Sequence, residues 1–322
     1  MIGIKHIVTH FEGKQTRLSN LTEYQLLPGD QKEYFDNTGI EFFYTADDAT
    51  AFDLAEKASR KLLKESGLQG GEIDLIIFIR SRLPETLIAS EAARLQYCLD
   101  AKKAQVFTIS DLGCTDMSMA LKLAFDFLTA NFNAQHVLIA HGCKPFSSNR
   151  LRYPVTLTAD GGIALLLART ETNQLIDFKL ETEGRYWNLF QMKYTDRTFE
   201  DYAEECTDLR MYGFELALES KMRFLDINKS LLTENNLKKE DISHYILQNI
   251  SERAFEFYET AFEVEVSPVC RHNLSCHGHL GPNDVMLNYL TGLQNGLFQE
   301  GELVLIMNNS PIAAWSSLLL KC

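Results

Sequence analysis

The stretch "SDLGCTDMS" (residues 110–118) places a cysteine between an apolar run and a helical pattern. The preceding "AQVFTIS" (104–110) is typical of a buried strand, and "DMSMALKLAFDFLTANF" (116–132) has the spacing of an amphipathic helix. Gly113 relaxes the backbone between them. The sequence therefore predicts a sharp strand-to-helix turn that carries Cys114.

This position favours Cys114 as a nucleophile. The unpaired N–H groups and the positive end of a helix dipole stabilise a thiolate, which is the form that attacks carbonyl carbons. Other nucleophiles use the same kind of turn, and the N–H group of Cys114 can donate to an oxyanion. The alternative is a structural cysteine, because free cysteine usually behaves as a small buried apolar residue. We expect that role for Cys98, Cys143 and Cys206.

The rest of the chain alternates strand and helix patterns. The predicted strands are 72–80, 104–110, 136–142, 162–168, 244–250, 302–309 and 312–320, and the predicted helices are 50–67, 89–99, 116–132, 214–236, 251–262 and 283–296. The alternation in the first half predicts a buried, mostly parallel sheet. The order recurs after an acidic stretch at 195–208, so we expect two similar α/β halves, 1–170 and 171–322. No Pro/Gly/Ser-rich linker separates them, and they should pack as one body.

Composition excludes several classes of function. The chain has 322 residues and a formal net charge of −13, which argues against sequence-independent binding to nucleic acid. No run approaches the roughly 18 apolar residues of a membrane span, and the first 14 residues lack the apolar core of a signal peptide. We expect a cytoplasmic protein. Its 7 cysteines, odd in number and irregularly spaced, are expected to be reduced thiols.

The tract "CRHNLSCHGH" (270–279) holds five residues of the types that bind zinc. It has no repeated paired-ligand spacing and no matching half elsewhere in the chain. We therefore expect neither a metal nor a cofactor.

Three segments together resemble the ketoacyl-carrier-protein synthase III group of the thiolase fold. They are "DLGCTDMSMALKLAFDFL" (111–128), "AQHVLIAHGCKPFSS" (134–148) and "TADGGIALLLAR" (158–169), and shorter likenesses occur at 37–44, 87–96 and 313–320. The resemblance implies a layered α-β-α-β-α body with Cys114 as the acyl-carrying nucleophile. It also implies a thioester donor, on an acyl-carrier protein or coenzyme A, and a homodimer or a heterodimer with a related synthase. In such a dimer Ile88 would lie near the partner's acyl pocket.

The chain departs from the family at the partners of the cysteine. The usual His-Gln-Ala-Asn segment begins here with Leu247, so the usual histidine is missing, and the usual Gly-Asn segment carries His279 in place of the asparagine. One cysteine and one histidine suffice for acyl transfer. We therefore expect Cys114 to work with His279, and Asp284 either orients the imidazole or caps the following helix. His277 is the alternative imidazole.

The same resemblance suggests residues that could donate hydrogen bonds to the reacting carbonyl group. Gln248 and Asn249 either supply the missing hydrogen-bond donor or satisfy backbone groups at a helix start. The usual glycine-rich turn near the C-terminus reads Asn308-Asn309-Ser310-Pro311-Ile312. Because proline has no N–H group, Ser310 or its neighbour Asn309 would have to complete an oxyanion site.

The coenzyme-binding residues of the family also differ here. The Trp and Arg that grip the nucleotide are replaced by Glu33 and Asn37, which makes free coenzyme A a less suitable donor. Arg150 and Arg152 lie in the loop where the family places an arginine that contacts the coenzyme. They are candidate substrate or carrier contacts, and the alternative is a solvated loop.

These features predict an acyltransferase or condensing enzyme of specialised lipid or polyketide-type metabolism. It would form a Cys114 acyl-thioester and pass the acyl group to a carbon, oxygen or nitrogen acceptor. The missing histidine keeps two alternatives open: an impaired subunit that pairs with an active synthase, and a thioester hydrolase.

Overall fold

The computed structural model describes residues 1–80, 84–145, 149–198, 201–312 and 314–322. The strands are β1 (Ile2–His10), β2 (Lys14–Arg17), β3 (Phe42–Thr45), β4 (Leu75–Ile79), β5 (Gln105–Ile109), β6 (His136–Cys143), β7 (Leu151–Arg152), β8 (Thr156–Leu157), β9 (Gly161–Arg169), β10 (Gln174–Thr182), β11 (Phe190–Gln191), β12 (Glu205–Cys206), β13 (Ile242–Leu247), β14 (Leu303–Ser310) and β15 (Ala314–Lys321). The helices are α1 (Thr22–Gln25), α2 (Gly29–Asp36), α3 (Ala51–Ser66), α4 (Glu91–Cys98), α5 (Asp116–Ala130), α6 (Ala217–Glu234), α7 (Glu252–Phe262), α8 (Pro268–His277) and α9 (Asp284–Gln294). Residues 146–148, 199–200 and 313, which belong to segments given above, lie outside the described ranges.

The main sheet repeats one strand order on either side of its centre. The described strands form the order β13-β14-β15-β10-β1-β9-β6-β4-β5. Outward from the central β1–β10 pair, β1-β9-β6-β4 matches β10-β15-β14-β13, and both series pair as antiparallel, antiparallel and then parallel. The chain is thus an α/β protein built from two similar halves. The division between residues 170 and 171 stays a prediction, and it falls between β9 and β10.

The prediction of a mostly parallel sheet is wrong, because the sheet is mixed. Among the described strands, only β4 with β5, β4 with β6, and β13 with β14 pair in parallel. Parallel neighbours need a long crossover connection, whereas a short connection returns the chain antiparallel. β14 and β15 are joined by a short turn, and the described residues between β6 and β9 form only the small strands β7 and β8.

Helices cover the sheet in layers, which explains the continuous apolar runs. Ala164 and Leu166 of β9 belong to the cluster beneath α3, whereas Ile163, Leu165 and Leu167 belong to the cluster that includes α5. A strand buried on both faces has no polar side to alternate with. α5 and α9 contact both halves of the sheet, α3 covers one half from outside, and α6 covers the other. No helix in the described part of the chain has the length and apolar character of a membrane span.

Candidate active site

The turn that carries Cys114 has the predicted form. A 3₁₀ turn, Gly113–Thr115, follows β5 and runs directly into α5. Gly113 has a φ of 57°, and a Cβ atom there would lie 2.4 Å from the hydroxyl oxygen of Ser310. A glycine is therefore required both by the backbone conformation and by the close approach of the β14 end. Cys114 itself is 8% exposed.

Cys114, His279 and Asp284 lie in one chain of contacts. The Cys114 Sγ atom is 3.6 Å from His279 Nε2, and His279 Nδ1 is 2.6 Å from Asp284 Oδ2. All three side chains are buried. His279 lies just after α8 and Asp284 begins α9, so one inter-helix connection presents both residues to the cysteine. The order nucleophile, imidazole and carboxylate is that of a catalytic triad.

The carboxylate of Asp284 is held from several sides. The N–H group of Leu280 donates to Oδ1 at 2.7 Å, and the N–H group of Asn249 donates to Oδ2 at 2.9 Å. Together with the bond from His279, these bonds occupy both oxygens of the Asp284 carboxylate. Within the described residues, the carboxylate makes no hydrogen bond to the first N–H groups of α9. The carboxylate thus holds the imidazole ring instead of capping the helix.

The surroundings of His279 favour its protonated form. Burial alone lowers the pKa of the ring, but the nearby Asp284 carboxylate and the Cys114 sulfur outweigh burial and raise that pKa to about 9. At neutral pH the ring therefore carries a proton on each nitrogen. The Nε2 proton faces the sulfur, where it can be given to a leaving group.

A cavity of about 220 Å³ opens onto this group. It is lined by Asp111, Gly113, Cys114, Cys143, Lys144, Arg152, Thr158, Phe190, Gln191, Met192, Glu204, His279, Gly281, Pro282, Ser310, Pro311 and Ile312. Ser310 lines this cavity together with Cys114, and its hydroxyl oxygen accepts from the Ile312 N–H group at 3.4 Å. We call this space the Cys114 cavity.

A second cavity has a volume of about 300 Å³, and Pro311 lines both this cavity and the Cys114 cavity. Its walls are largely aromatic and apolar, and they include Leu247. Tyr34 also lines it and donates its hydroxyl to the carbonyl of Val155 at 2.9 Å. We call this space the aromatic cavity.

The two predicted auxiliary residues have structural partners. Gln248 donates from Nε2 to Asn309 Oδ1 at 2.8 Å, and its own Oε1 is buried without a partner. Asn249 accepts a bond from Asn288 at 2.8 Å, and its N–H group serves Asp284. Gln248 lines the aromatic cavity, and neither residue lines the Cys114 cavity.

Of the three residues predicted to contact the substrate, the carrier or the partner chain, only one lines the Cys114 cavity. Arg150 forms a two-pronged ion pair with Asp160, at 2.6 and 3.0 Å, and lines neither cavity. Arg152 lines the Cys114 cavity and pairs with Glu204. Ile88 is fully exposed and has a φ of 74°, which is unusual for a β-branched residue.

Sequence reasoning missed several residues at the site. Asn308 donates from Nδ2 to the carbonyl of Cys114 at 2.7 Å and so ties β14 to the nucleophile turn. An asparagine that ends an apolar strand was the available signal. Cys143, expected in the core, is buried but also lines the Cys114 cavity, as does Thr158. The tract 270–279 forms most of α8, and no group of three metal-binding side chains occurs among the described residues.

Asp116, two residues after the nucleophile, provides a stability test. Burial raises the pKa of its carboxyl to about 7 from 3.8, despite a 3.1 Å bond from the Leu112 N–H group to Oδ1. The other oxygen, Oδ2, has no partner. The folded state therefore holds a proton that the unfolded state releases, so this group lowers stability as the pH rises from about 4 to 7.

We expect Asp116→Asn to raise the free energy of unfolding by about 2–4 kcal/mol at pH 8, because each pKa unit corresponds to about 1.4 kcal/mol. The variant should differ little from the parent at pH 4. Urea unfolding at the two pH values measures this difference. An equal effect at both would show that charge is not the cause.

Comparison with known proteins agrees with this fold. No family model matches the sequence. The β-ketoacyl-[acyl-carrier-protein] synthase III of Porphyra purpurea is 24% identical over 292 residues, which cover 88% of each chain. The structure of 3-oxoacyl-[acyl-carrier-protein] synthase III from Aquifex aeolicus superposes with a TM-score of 0.81 at 19% identity and covers 100% of both chains. The acyltransferase ChlB3 superposes with a TM-score of 0.82 at 18% identity, over 99% of this chain and 97% of ChlB3.

The repeated strand order, the cysteine turn ahead of α5 and these likenesses lead to one assignment. The chain has the thiolase fold and is similar to the β-ketoacyl-[acyl-carrier-protein] synthase III proteins.

Proposed function

We propose that this protein is an acyltransferase that carries its acyl group on Cys114 and delivers it to an oxygen or nitrogen acceptor. The observation that carries the proposal is the buried chain from Cys114 Sγ to His279 Nε2 and from His279 Nδ1 to Asp284. Such a chain supplies a nucleophile, a proton carrier and an orienting carboxylate, which together suffice for acyl transfer.

The first step loads the enzyme. The Cys114 thiolate attacks the carbonyl carbon of a thioester, and the carbon–sulfur bond to the donor breaks. The departing sulfur takes the Nε2 proton of His279 and leaves as a free thiol, so that His279 becomes neutral. Asp284 keeps the Nδ1 proton in place throughout. The N–H group of Cys114, at the start of a helix, is available to the oxyanion.

The second step delivers the acyl group. An acceptor O–H or N–H group attacks the acyl-Cys114 carbonyl while neutral His279 takes the proton at Nε2. The bond between carbonyl carbon and Cys114 sulfur breaks, and the thiolate and imidazolium are restored. Water in place of the acceptor would give hydrolysis by the same steps.

Carbon–carbon condensation is less well supported by the residues present. The family's histidine position holds Leu247, which cannot donate a hydrogen bond to an extender thioester, and it lines the aromatic cavity. His279 is already engaged by Asp284 and Cys114. The intact triad also argues against the alternative of an impaired partner subunit.

The donor we propose is a thioester on the pantetheine arm of a carrier protein. Two features support this choice. The aromatic cavity adjoins the Cys114 cavity at Pro311, and a slender arm could approach the sulfur along it. Asn37, at the position of the nucleotide-gripping arginine, instead bonds to the carbonyl of Glu33 at 2.6 Å. Arg150 is paired with Asp160 and lines neither cavity. Of the two arginines predicted to contact the substrate or carrier, Arg152 is therefore the one that can reach a bound donor.

We further propose that the chain works as a dimer. Edge strand β5 carries the exposed Phe107, and Ile88 combines full exposure with a positive φ. A strained, exposed apolar residue is readily explained by a second chain that covers it. Sedimentation should give twice the chain mass, and a monomer at micromolar concentration would contradict a dimer.

Product analysis tests transfer against condensation. Enzyme loaded from an acyl-pantetheine donor is mixed either with malonyl-carrier protein or with a panel of alcohols and amines, and products are identified by mass spectrometry. We expect esters or amides, with no carbon dioxide release from the malonyl carrier. A β-ketoacyl product formed faster than any ester or amide would contradict the proposal.

A further inference from the structure

One part of the lining of the Cys114 cavity, formed by Arg152, Glu204, Thr158 and Lys144, is unusually polar for an acyl pocket; we call it the polar wall. Arg152 donates to Glu204 from Nε at 2.9 Å and from Nη2 at 2.5 Å, and the side chains are only 13% and 11% exposed. Both residues line the cavity, and so do Thr158 and Lys144. A pocket for a simple alkyl chain needs none of these groups.

Two polar groups on this wall have no hydrogen-bond partner among the described residues, and one of them, the Thr158 hydroxyl, is buried. The Nη1 group of Arg152 makes no hydrogen bond with any described residue, because Glu204 engages only Nε and Nη2. The hydroxyl of Thr158 is also without a partner, although the residue is only 4% exposed. Thr158 pairs with His279 in an isolated bridge, so it lies beside the triad. A buried hydroxyl is normally satisfied, and a ligand can satisfy this one.

The charges of the wall favour an acidic ligand. Burial disfavours the charge of Arg152, but Glu204 and, to a lesser extent, Cys114 raise its pKa, so the guanidinium stays charged. Its charge is balanced by Glu204. Lys144 donates to the carbonyls of Ala46 and Ala49 and forms no ion pair with a described residue. The other acid on the lining, Asp111, is exposed to solvent. The buried part of the cavity therefore has a positive excess.

The cavity volume limits the length of the acyl group. About 220 Å³ is the space of about seven water molecules at about 30 Å³ each. This accommodates an acyl group of up to about eight non-hydrogen atoms, the size of a five-carbon dicarboxylic acyl group. Phe190, Met192 and Ile312 supply apolar lining for the methylene groups between its two ends.

We propose that the acyl group which Cys114 accepts is a short dicarboxylic one, bound through its free carboxylate by Arg152 Nη1, Thr158 and Lys144. The inference rests on the acyl-enzyme proposed above and names the class of its acyl group. The bonds made and broken are those of the loading step, and the distal carboxylate is unchanged by it. A carboxylate oxygen can accept from all three donors, and a terminal methyl group can accept from none.

A matched donor panel tests this assignment. Glutaryl-pantetheine, its neutral amide analogue glutaramoyl-pantetheine and valeryl-pantetheine have nearly the same length and differ at the distal group. The rate of appearance of the acyl adduct on Cys114 is followed by intact-mass spectrometry. We expect glutaryl transfer to be at least about 10-fold faster than valeryl transfer, with the amide between them.

Two variants assign the preference to this wall. Thr158→Val keeps the shape and removes the hydroxyl, and Lys144→Met removes the charge. We expect the glutaryl-to-valeryl rate ratio to fall about 5- to 10-fold in the first and about 10- to 100-fold in the second. Lys57→Met, whose ammonium lies against Glu12 at the surface, is the charge-matched control and should keep the parent ratio.

The outcomes distinguish failure of the dicarboxylic assignment from failure of the Cys114 acyl-enzyme itself. Valeryl transfer as fast as glutaryl transfer, or a ratio unchanged in Thr158→Val, overturns the dicarboxylic assignment and leaves the acyl-enzyme standing. An absence of adduct from all three donors overturns the acyl-enzyme and the dicarboxylic assignment with it. Should Lys144→Met fail to fold, as judged by its thermal unfolding, Thr158→Val alone decides.

Discussion

Replacing His279 with alanine should slow the acylation of Cys114 by about 10²–10⁴-fold, the usual contribution of a positioned proton carrier. In the folded protein the imidazole Nε2 lies 3.6 Å from the sulfur and supplies the proton that the leaving thiol needs. No other histidine lines the Cys114 cavity in the described part of the chain. Single-turnover loading, followed by intact mass, measures the rate.

His277 provides the matched control for this variant. Its ring packs on Phe11 and Tyr44, with ring centres 4.8 and 5.9 Å away, and burial lowers its pKa to about 4. His277→Phe keeps an aromatic ring in that cluster. We expect its loading rate to stay within about twofold of the parent rate. If His277→Phe slowed loading as much as His279→Ala, the assignment of the imidazole would be wrong.

Replacing Asp284 with asparagine should cost about 10²–10⁴-fold in loading rate. Both carboxylate oxygens accept backbone N–H groups, one from Leu280 and one from Asn249. Either orientation of an asparagine amide therefore sets its NH₂ group against an N–H group. We expect a loss of stability of about 1–3 kcal/mol in addition to the loss of rate.

The pH profile distinguishes a catalytic effect from a merely structural one. Asp284 helps to raise the pKa of His279 to about 9, so the parent enzyme should lose loading activity only as the pH rises through about 9. Without the carboxylate charge, the alkaline limb should move to lower pH. Asp226→Asn, a change on the exposed face of α6, should leave both rate and profile unaltered. A profile in Asp284→Asn identical to that of the parent would contradict the orienting role.

Much of the fold could be predicted because its signals are local. An apolar run, a glycine and a helical pattern within about two dozen residues predict the turn around Cys114, and the structure has that turn. The similarity of the halves was also visible in the order of elements. The direction of the strands could not be predicted. A strand such as β9, buried on both faces, is equally apolar whether its neighbours are parallel or antiparallel.

The site was predictable only where residue type alone carries the chemistry. His279 and Asp284 lie five residues apart and could be selected as an imidazole and a carboxylate near the expected position. The ion pair of Arg152 with Glu204 joins residues 52 positions apart, and no local pattern links them. The ion pair of Arg150 with Asp160 likewise depends on how the chain before β7 packs against the chain before β9. Such pairings follow from tertiary packing, which a single sequence does not display.

The most direct test of the account is to locate the acyl group after incubation with a thioester donor. Purified protein is treated with the acyl-pantetheine panel and with acyl-carrier proteins, digested, and analysed by peptide mass spectrometry, in parallel with Cys114→Ala. We expect an acyl mass on the peptide that contains Cys114 and none in the variant. An adduct that persists in Cys114→Ala, or a Cys114 that stays unmodified by every donor, would contradict it.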